Sequence, residues 1–108
     1  MVAALTERKK RLSLKLPVRV SGEDAAGKTF EESTRCLNVS GGGILFESRE
    51  RLLVGTRIHL RIEIPEALRK HFDDQSDYET SAIITRLEAL ESRARVRVGA
   101  RFIADERR

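Results

Sequence analysis

Apolar and polar side chains alternate with period two over several stretches of this chain. The longest is residues 57–64, where Ile58, Leu60, Ile62 and Ile64 interleave with Arg57, His59, Arg61 and Glu63, as a strand with one buried face requires. Residues 15–20 repeat the pattern with Leu16, Val18 and Val20, and Pro17 marks a strand start or an edge. Residues 22–28 (GEDAAGK) form a turn, and residues 30–39 follow as a weaker strand with Phe30, Thr34 and Cys36 on one face, so the two strands make a hairpin. After Gly41, Gly42 and Gly43, the run Ile44, Leu45 and Phe46 reads as a short buried strand. Val54, Gly55 and Thr56 mark a turn, and residues 81–87 and 93–102 complete the set. The last strand carries Ala94, Val96, Val98, Ala100 and Phe102 against Arg95, Arg97, Gly99 and Arg101. Residues 65–72 (PEALRKHF) are expected to form a single short helix with Pro65 in its first turn, and residues 73–77 a solvated loop. Six short strands separated by turns predict an all-β fold, an antiparallel barrel or sandwich whose closure hides the sheet edges.

Composition narrows the function more than the fold. The chain has 108 residues, enough for one domain, and 40% hydrophobic content with no apolar run of membrane-spanning length. Residues 1–5 are too short an apolar stretch for a secretory signal, which with a lone cysteine points to the cytosol. Cys36, His59 and His71 stand too far apart for a zinc site, so no metal or other cofactor is expected. No nucleophile with a base and no catalytic carboxylate pair can be assembled, so the chain reads as a non-enzyme. Twenty-one Lys and Arg against 17 Asp and Glu give +4, and the excess gathers in Arg8, Lys9, Lys10 and Arg11, which favours an anionic partner.

Three motifs compete for that anion. Gly22 to Thr29 matches the phosphate-loop pattern G-x-x-x-x-G-K-[ST] letter for letter, but it leads into a strand instead of a helix N-terminus, and Glu23 and Asp24 repel phosphate, so a hairpin turn is expected. Asn38, Ser40 and Gly43, with Gly41 and Gly42 between, stand where one strand ends and the next begins. An amide, a hydroxyl and backbone freed by glycine can meet base edges or phosphate oxygens there. The basic run precedes the first strand, and arginine forks grip phosphate and stack on purines.

Taken together, an N-terminal arginine motif followed by [D/N]-x-S-x-x-G, complete at Asn38, Ser40 and Gly43, resembles the PilZ domain family. Leu16 to Val20, Val54 to Thr56 and Val98 to Phe102 carry further likeness, so the resemblance spans residues 7–103. It implies a six-stranded antiparallel β-barrel over residues 15–103, a flexible basic arm over residues 1–14 and a short tail over 104–108 in place of a substantial C-terminal helix. It also implies cyclic di-GMP as ligand and a bacterial, cytoplasmic signalling role. By position, the family's second arginine is Arg11, while its first falls on Glu7, leaving Arg8 to serve in an R-x-x-R spacing. The expected ligand residues are therefore Arg8, Arg11, Asn38, Ser40 and Gly43, with Lys9, Lys10, Gly41, Gly42 and Arg86 as secondary contacts, Arg86 stacking on guanine from the fifth strand.

The residues then offer three readings. The first is a cyclic di-GMP receptor whose arm orders on binding and signals to a downstream protein. The second, motivated by Glu7, is a degenerate domain acting as a protein adaptor without nucleotide. The third is a small basic barrel for nucleic acid, disfavoured because the five Phe and Tyr residues form no exposed stacking pair on a strand. Among the remaining residues, His59 is expected to face solvent, His71 to lie in the short helix, Tyr78 to pack at a strand entry, and Cys36 to be a small buried apolar group.

Overall fold

Alternation becomes enclosure when the strands join edge to edge. The computed structural model describes residues 15–90 and 94–103, without the side chains of residues 71 and 72. Its six strands are β1 (Pro17–Glu23), β2 (Thr29–Val39), β3 (Gly43–Ser48), β4 (Arg57–Glu63), β5 (Asp77–Ala89) and β6 (Val96–Ile103). They close in the order β1-β2-β3-β6-β5-β4, every neighbour antiparallel, into a barrel, one of the two architectures the pattern predicts and the one the resemblance implies. Val18, Val20, Phe46, Ile58, Leu60, Ile62, Ile84 and Val98 point inward and are buried, each contributing about 1.5–3 kcal/mol of apolar burial. Closure leaves no free edge, so Pro17 is a strand opener: it faces Arg35 on β2, and pairing with β4 begins one residue later at Val18.

Several boundaries differ from the sequence expectation for identifiable reasons. β1 runs past Val20 to Glu23 because Gly22 and Glu23 still pair with Phe30 and Thr29, so only the Asp24 to Lys28 stretch is left to turn. In that turn Asp24 accepts the amides of Ala26 and Lys28, both at 2.9 Å, and Gly27 takes φ 81°; the carboxylate already occupies amides that a phosphate loop would offer its ligand. β5 begins at Asp77, four residues before the expected Ser81, because Asp77 and Tyr78 pair with Glu63 and Ile62. Tyr78 therefore packs at the strand entry, edge-on to Phe102 with ring centroids 6.3 Å apart. β6 begins at Val96 instead of residue 93, and Ala94 sits in the preceding turn with φ 56°. The segment Glu66–Phe72 winds as a 3₁₀ helix that includes His71, and stops at Asp73 in the left-handed region.

Two pairs of strands are not in simple register. β2 and β3 shift between Cys36 and Asn38, and β5 and β6 shift between Ile84 and Arg86. A bulge inserts one residue and reverses which parity faces the core beyond it. Cys36 and Val39 are consequently both buried though three residues apart, and Asn38 is turned to the outer surface opposite Leu45. On β5, Ile84 faces inward while Arg86 is exposed opposite Gly99.

Candidate functional site

The β2 bulge and the turn after it build a small polar ledge. Ser40 donates its amide to the Gly43 carbonyl at 2.9 Å, and its Oγ accepts the amides of Gly42 at 3.1 Å and Gly43 at 3.3 Å. With two amides accepted, the hydroxyl proton of Ser40 is still available to donate outward. The Asn38 side chain makes no hydrogen bond among the described residues, and its amide lies half-buried on the outer face one turn away from Ser40. The ledge thus presents, among the described residues, a Ser40 hydroxyl fixed by two amides and an Asn38 amide without a hydrogen-bond partner.

Glycine has a packing reason at Gly43. A Cβ there would press into the carbonyl oxygen of Ala100, because β3 and β6 approach closely at this row and Phe102 donates its amide to the Gly42 carbonyl at 3.0 Å. The glycine run uses no positive φ, so close approach of the backbone, not a left-handed turn, is what its small size allows. Gly42 is exposed, with room for a side chain near Ser40.

Strand register brings Arg86 into line with this ledge. Asn38, Leu45, Gly99 and Arg86 stand opposite one another in one row across β2, β3, β6 and β5, all on the outer face. Strands lie about 4.8 Å apart, so Asn38 and Arg86 flank a span of about 14 Å. The Arg86 guanidinium lies against Gly99, with Nε and one terminal nitrogen 3.6 Å from where a Gly99 Cβ would be. Arg8, Lys9, Lys10 and Arg11, together with Glu7, lie outside the described residues, as do the expected arm and tail. Where the segment enters the barrel is described: the Cys36 amide donates to the Leu16 carbonyl at 2.9 Å, and Arg35 donates to the Lys15 carbonyl at 3.1 Å.

Two grooves lie elsewhere on the barrel. A groove of about 360 Å³ is lined by Pro17, Arg19, Arg61, Arg69 and Asp77, and one of about 830 Å³ by Lys15, Arg35 and the acidic Glu31, Glu32, Glu47 and Glu50. Three of their cations are ion-paired: Arg61 donates to Asp77 at 2.9 Å, Arg19 stands 3.6 Å from Glu31, and Arg95 meets Glu47 at 2.9 Å. The hydrogen bond from Arg61 to Asp77, then the charges of Asp77 and Glu79, raise the guanidinium above its ordinary value. Such a groove offers a phosphate its own carboxylates as competitors. His59, half-exposed and 3.6 Å from Glu79, belongs to this ion-paired side. Burial pushes the Cys36 thiol up, and Cys36 packs inside the barrel in no disulfide. Among the described residues no cluster of His, Cys, Asp and Glu could hold a metal, and no helix is long and apolar enough to cross a membrane.

Comparison with known proteins agrees with this fold. A family model described as the PilZ domain matches residues 6–108. The structure of the inhibitor of motility MotI/DgrA from Bacillus subtilis is similar at a TM-score of 0.65 and 21% identity, covering 87% of this chain and 41% of that one. The PilZ domain with c-di-GMP of YcgR from Escherichia coli is similar at 0.56 and 16% identity, covering 87% and 75%. MrkH of K. pneumonia in its apo state is similar at 0.57 and 12% identity, covering 89% and 42%. The chain thus spans less than half the length of MotI and of MrkH. No curated protein matches the sequence.

Proposed function

Because the chain belongs to the PilZ domain family, we propose that it is a non-enzymatic receptor for cyclic di-GMP in the bacterial cytoplasm. The nucleotide lies on the outer surface of the barrel. Asn38 and the Ser40 hydroxyl meet it from the ledge, Gly43 keeps β3 close against β6 beneath it, and Gly41 and Gly42 let it approach the backbone. Arg86, at the far end of the same row, stacks on a guanine. Arg8 and Arg11, with Lys9 and Lys10 beside them, close over the two phosphates from the N-terminal side.

The observation that carries this reading is the direction in which the chain enters. The Cys36 amide is bonded to the Leu16 carbonyl, and β1 runs antiparallel to β2, so the described chain enters the barrel from the end of β2 that carries Asn38 and the ledge. From Cys36 to Ser40 is four residues, about 13 Å of extended chain, whereas the five residues from Leu16 back to Arg11 reach up to about 17 Å. Arg11 therefore has the length to meet a ligand seated at Ser40. Binding draws the N-terminal segment against the barrel, a change that a partner protein can read.

Calorimetric titration with cyclic di-GMP, with GTP and cyclic GMP as controls, tests the proposal. Selective saturable binding is expected, and Arg11→Ala should weaken it at least tenfold, about 1.4 kcal/mol, without moving the thermal midpoint. Absence of heat, with unchanged amide resonances at millimolar nucleotide, overturns it and leaves the adaptor reading that Glu7 motivates.

A further inference from the structure

Among the described residues, Arg19, Arg61, Arg95 and Arg97 each face a carboxylate within 4.0 Å, whereas Arg35, Arg49, Arg51, Arg57, Arg69, Arg86 and Arg101 have no ion-pair partner. Three of the unpaired arginines, Arg57, Arg86 and Arg101, stand on neighbouring strands of one face. Arg57, Ile83 and Arg101 form a single outward row across β4, β5 and β6, and Arg86 stands opposite Gly99, two residues before Arg101 on β6. At about 4.8 Å per strand, Arg57 and Arg101 flank Ile83 at about 10 Å from each other. On β4, β5 and β6, carboxylates return only at Glu79 on one side and Glu88 on the other.

The patch is apolar as well as basic. The ladder between β4 and β5 continues through the loop before β4, where the Gly55 amide donates to the Ile84 carbonyl at 2.7 Å and the Ile84 amide to the Thr56 carbonyl at 2.9 Å. That loop carries Leu53 and Val54 beside this part of β5, and they are 54% and 60% exposed, the large apolar side chains the barrel leaves in water. A phosphate ligand gives no reason for two exposed aliphatics beside three guanidiniums that no described carboxylate neutralises. Interface cores do: they are enriched in apolar groups and arginine and depleted of Asp, Glu and Lys.

We propose that the outer face of β4, β5 and β6 around Ile83, with Leu53 and Val54, is a docking surface for an acidic protein segment bearing aliphatic side chains. Planar arginine forks select carboxylates, and Ile83, Leu53 and Val54 accept the aliphatic groups between them. The patch shares Arg86 with the row that ends at Asn38, so it adjoins the proposed nucleotide ledge without depending on it. An anionic membrane is the less fitting occupant, because no Trp, Tyr or Phe stands among these patch residues to anchor in the interface.

The test uses the full chain and a synthetic peptide of alternating glutamate and leucine, followed by amide resonances. Saturable shifts at Leu53, Val54, Arg57, Ile83 and Arg101 are expected. A peptide with serine in place of leucine should bind at least about tenfold more weakly, and Arg57→Glu with Leu53→Ser should weaken the leucine peptide by a similar factor. Both substituted positions are exposed, and an unchanged melting curve establishes that the variant is folded. Equal binding of the serine peptide, no binding of either, or co-sedimentation with phosphatidylserine vesicles that depends on Arg57 and Leu53 overturns the proposal. Cyclic di-GMP titration of the same variant is expected to match the unsubstituted chain, so loss of the docking surface and failure of the nucleotide reading are told apart.

Discussion

The barrel has a regular half and a bulged half. β1 and β4 pair with each other and with β2 and β5 in unbroken register, and their outward Arg19 and Arg61 are neutralised by Glu31, Asp77 and Glu79. β3 and β6 also pair regularly, but each is flanked by a bulged ladder, one re-aiming Asn38 and the other exposing Arg86. In the bulged half Arg97 faces Glu88, but the Asn38 amide, the Ser40 hydroxyl proton and the guanidiniums of Arg86 and Arg101 have no side-chain partner among the described residues. A surface whose charges already have partners is a poor recognition surface, since a ligand must displace them. The division teaches that one half closes the fold, while irregular pairing in the other turns donors outward.

The largest effects should come from each half's packing and should separate in their consequences. Leu60→Ala removes a fully buried side chain from β4 and is expected to cost about 3 kcal/mol in urea unfolding, yet to leave cyclic di-GMP affinity unchanged in the folded fraction. Gly43→Ala adds one methyl that meets the Ala100 carbonyl, so β3 and β6 must separate; about 2 kcal/mol is expected, together with loss of nucleotide binding. Equal binding by both variants would erase the distinction between the halves.

Polar substitutions sharpen the same contrast at smaller cost. Ser40→Ala leaves the amides of Gly42 and Gly43 without their side-chain acceptor and should cost about 1 kcal/mol, with at least a tenfold loss of cyclic di-GMP affinity by calorimetry. Arg61→Gln breaks a shorter contact, but an exposed one. Its stability change is expected within about 0.5 kcal/mol, with no change in binding.

How far the sequence was legible follows the same line. The alternation of residues 57–64 reads directly as β4 because neither of its ladders is bulged. The [D/N]-x-S-x-x-G spacing located the Asn38 to Gly43 turn because its hydrogen bonds are local, from Ser40 to residues two and three ahead. Long-range pairing was not legible. Asp77 reads as loop because the pairing that makes it strand comes from Glu63, and Ala94 continues an alternation that a left-handed turn interrupts. The row joining Arg57, Ile83 and Arg101 depends on register across three strands, which no periodicity within one strand encodes. Leu53 and Val54 read only as part of a turn region, although two adjacent exposed aliphatics were the available signal.

The smallest expected effect lies at the boundary between the halves, where Cys36 is the last β2 residue in register before the bulge. Burial raises its thiol pKa in the folded barrel, so the folded state favours the protonated form more than the unfolded state does. The stabilisation is complete below the ordinary thiol value, about 8.5, and is lost as pH rises from there through the raised value. Urea midpoints of the unsubstituted chain should therefore fall more steeply above that pH than those of Cys36→Ala, the difference isolating the thiol from Tyr and Lys titration. A thiol reagent at neutral pH reads the same position kinetically. If the bulge opens locally, Cys36 reacts faster than global unfolding allows, and bound cyclic di-GMP should slow it by bracing the ledge four residues away. Reaction at the global unfolding rate, unaffected by nucleotide, would mean that β2 is as rigid at its bulge as β4 is along its whole length.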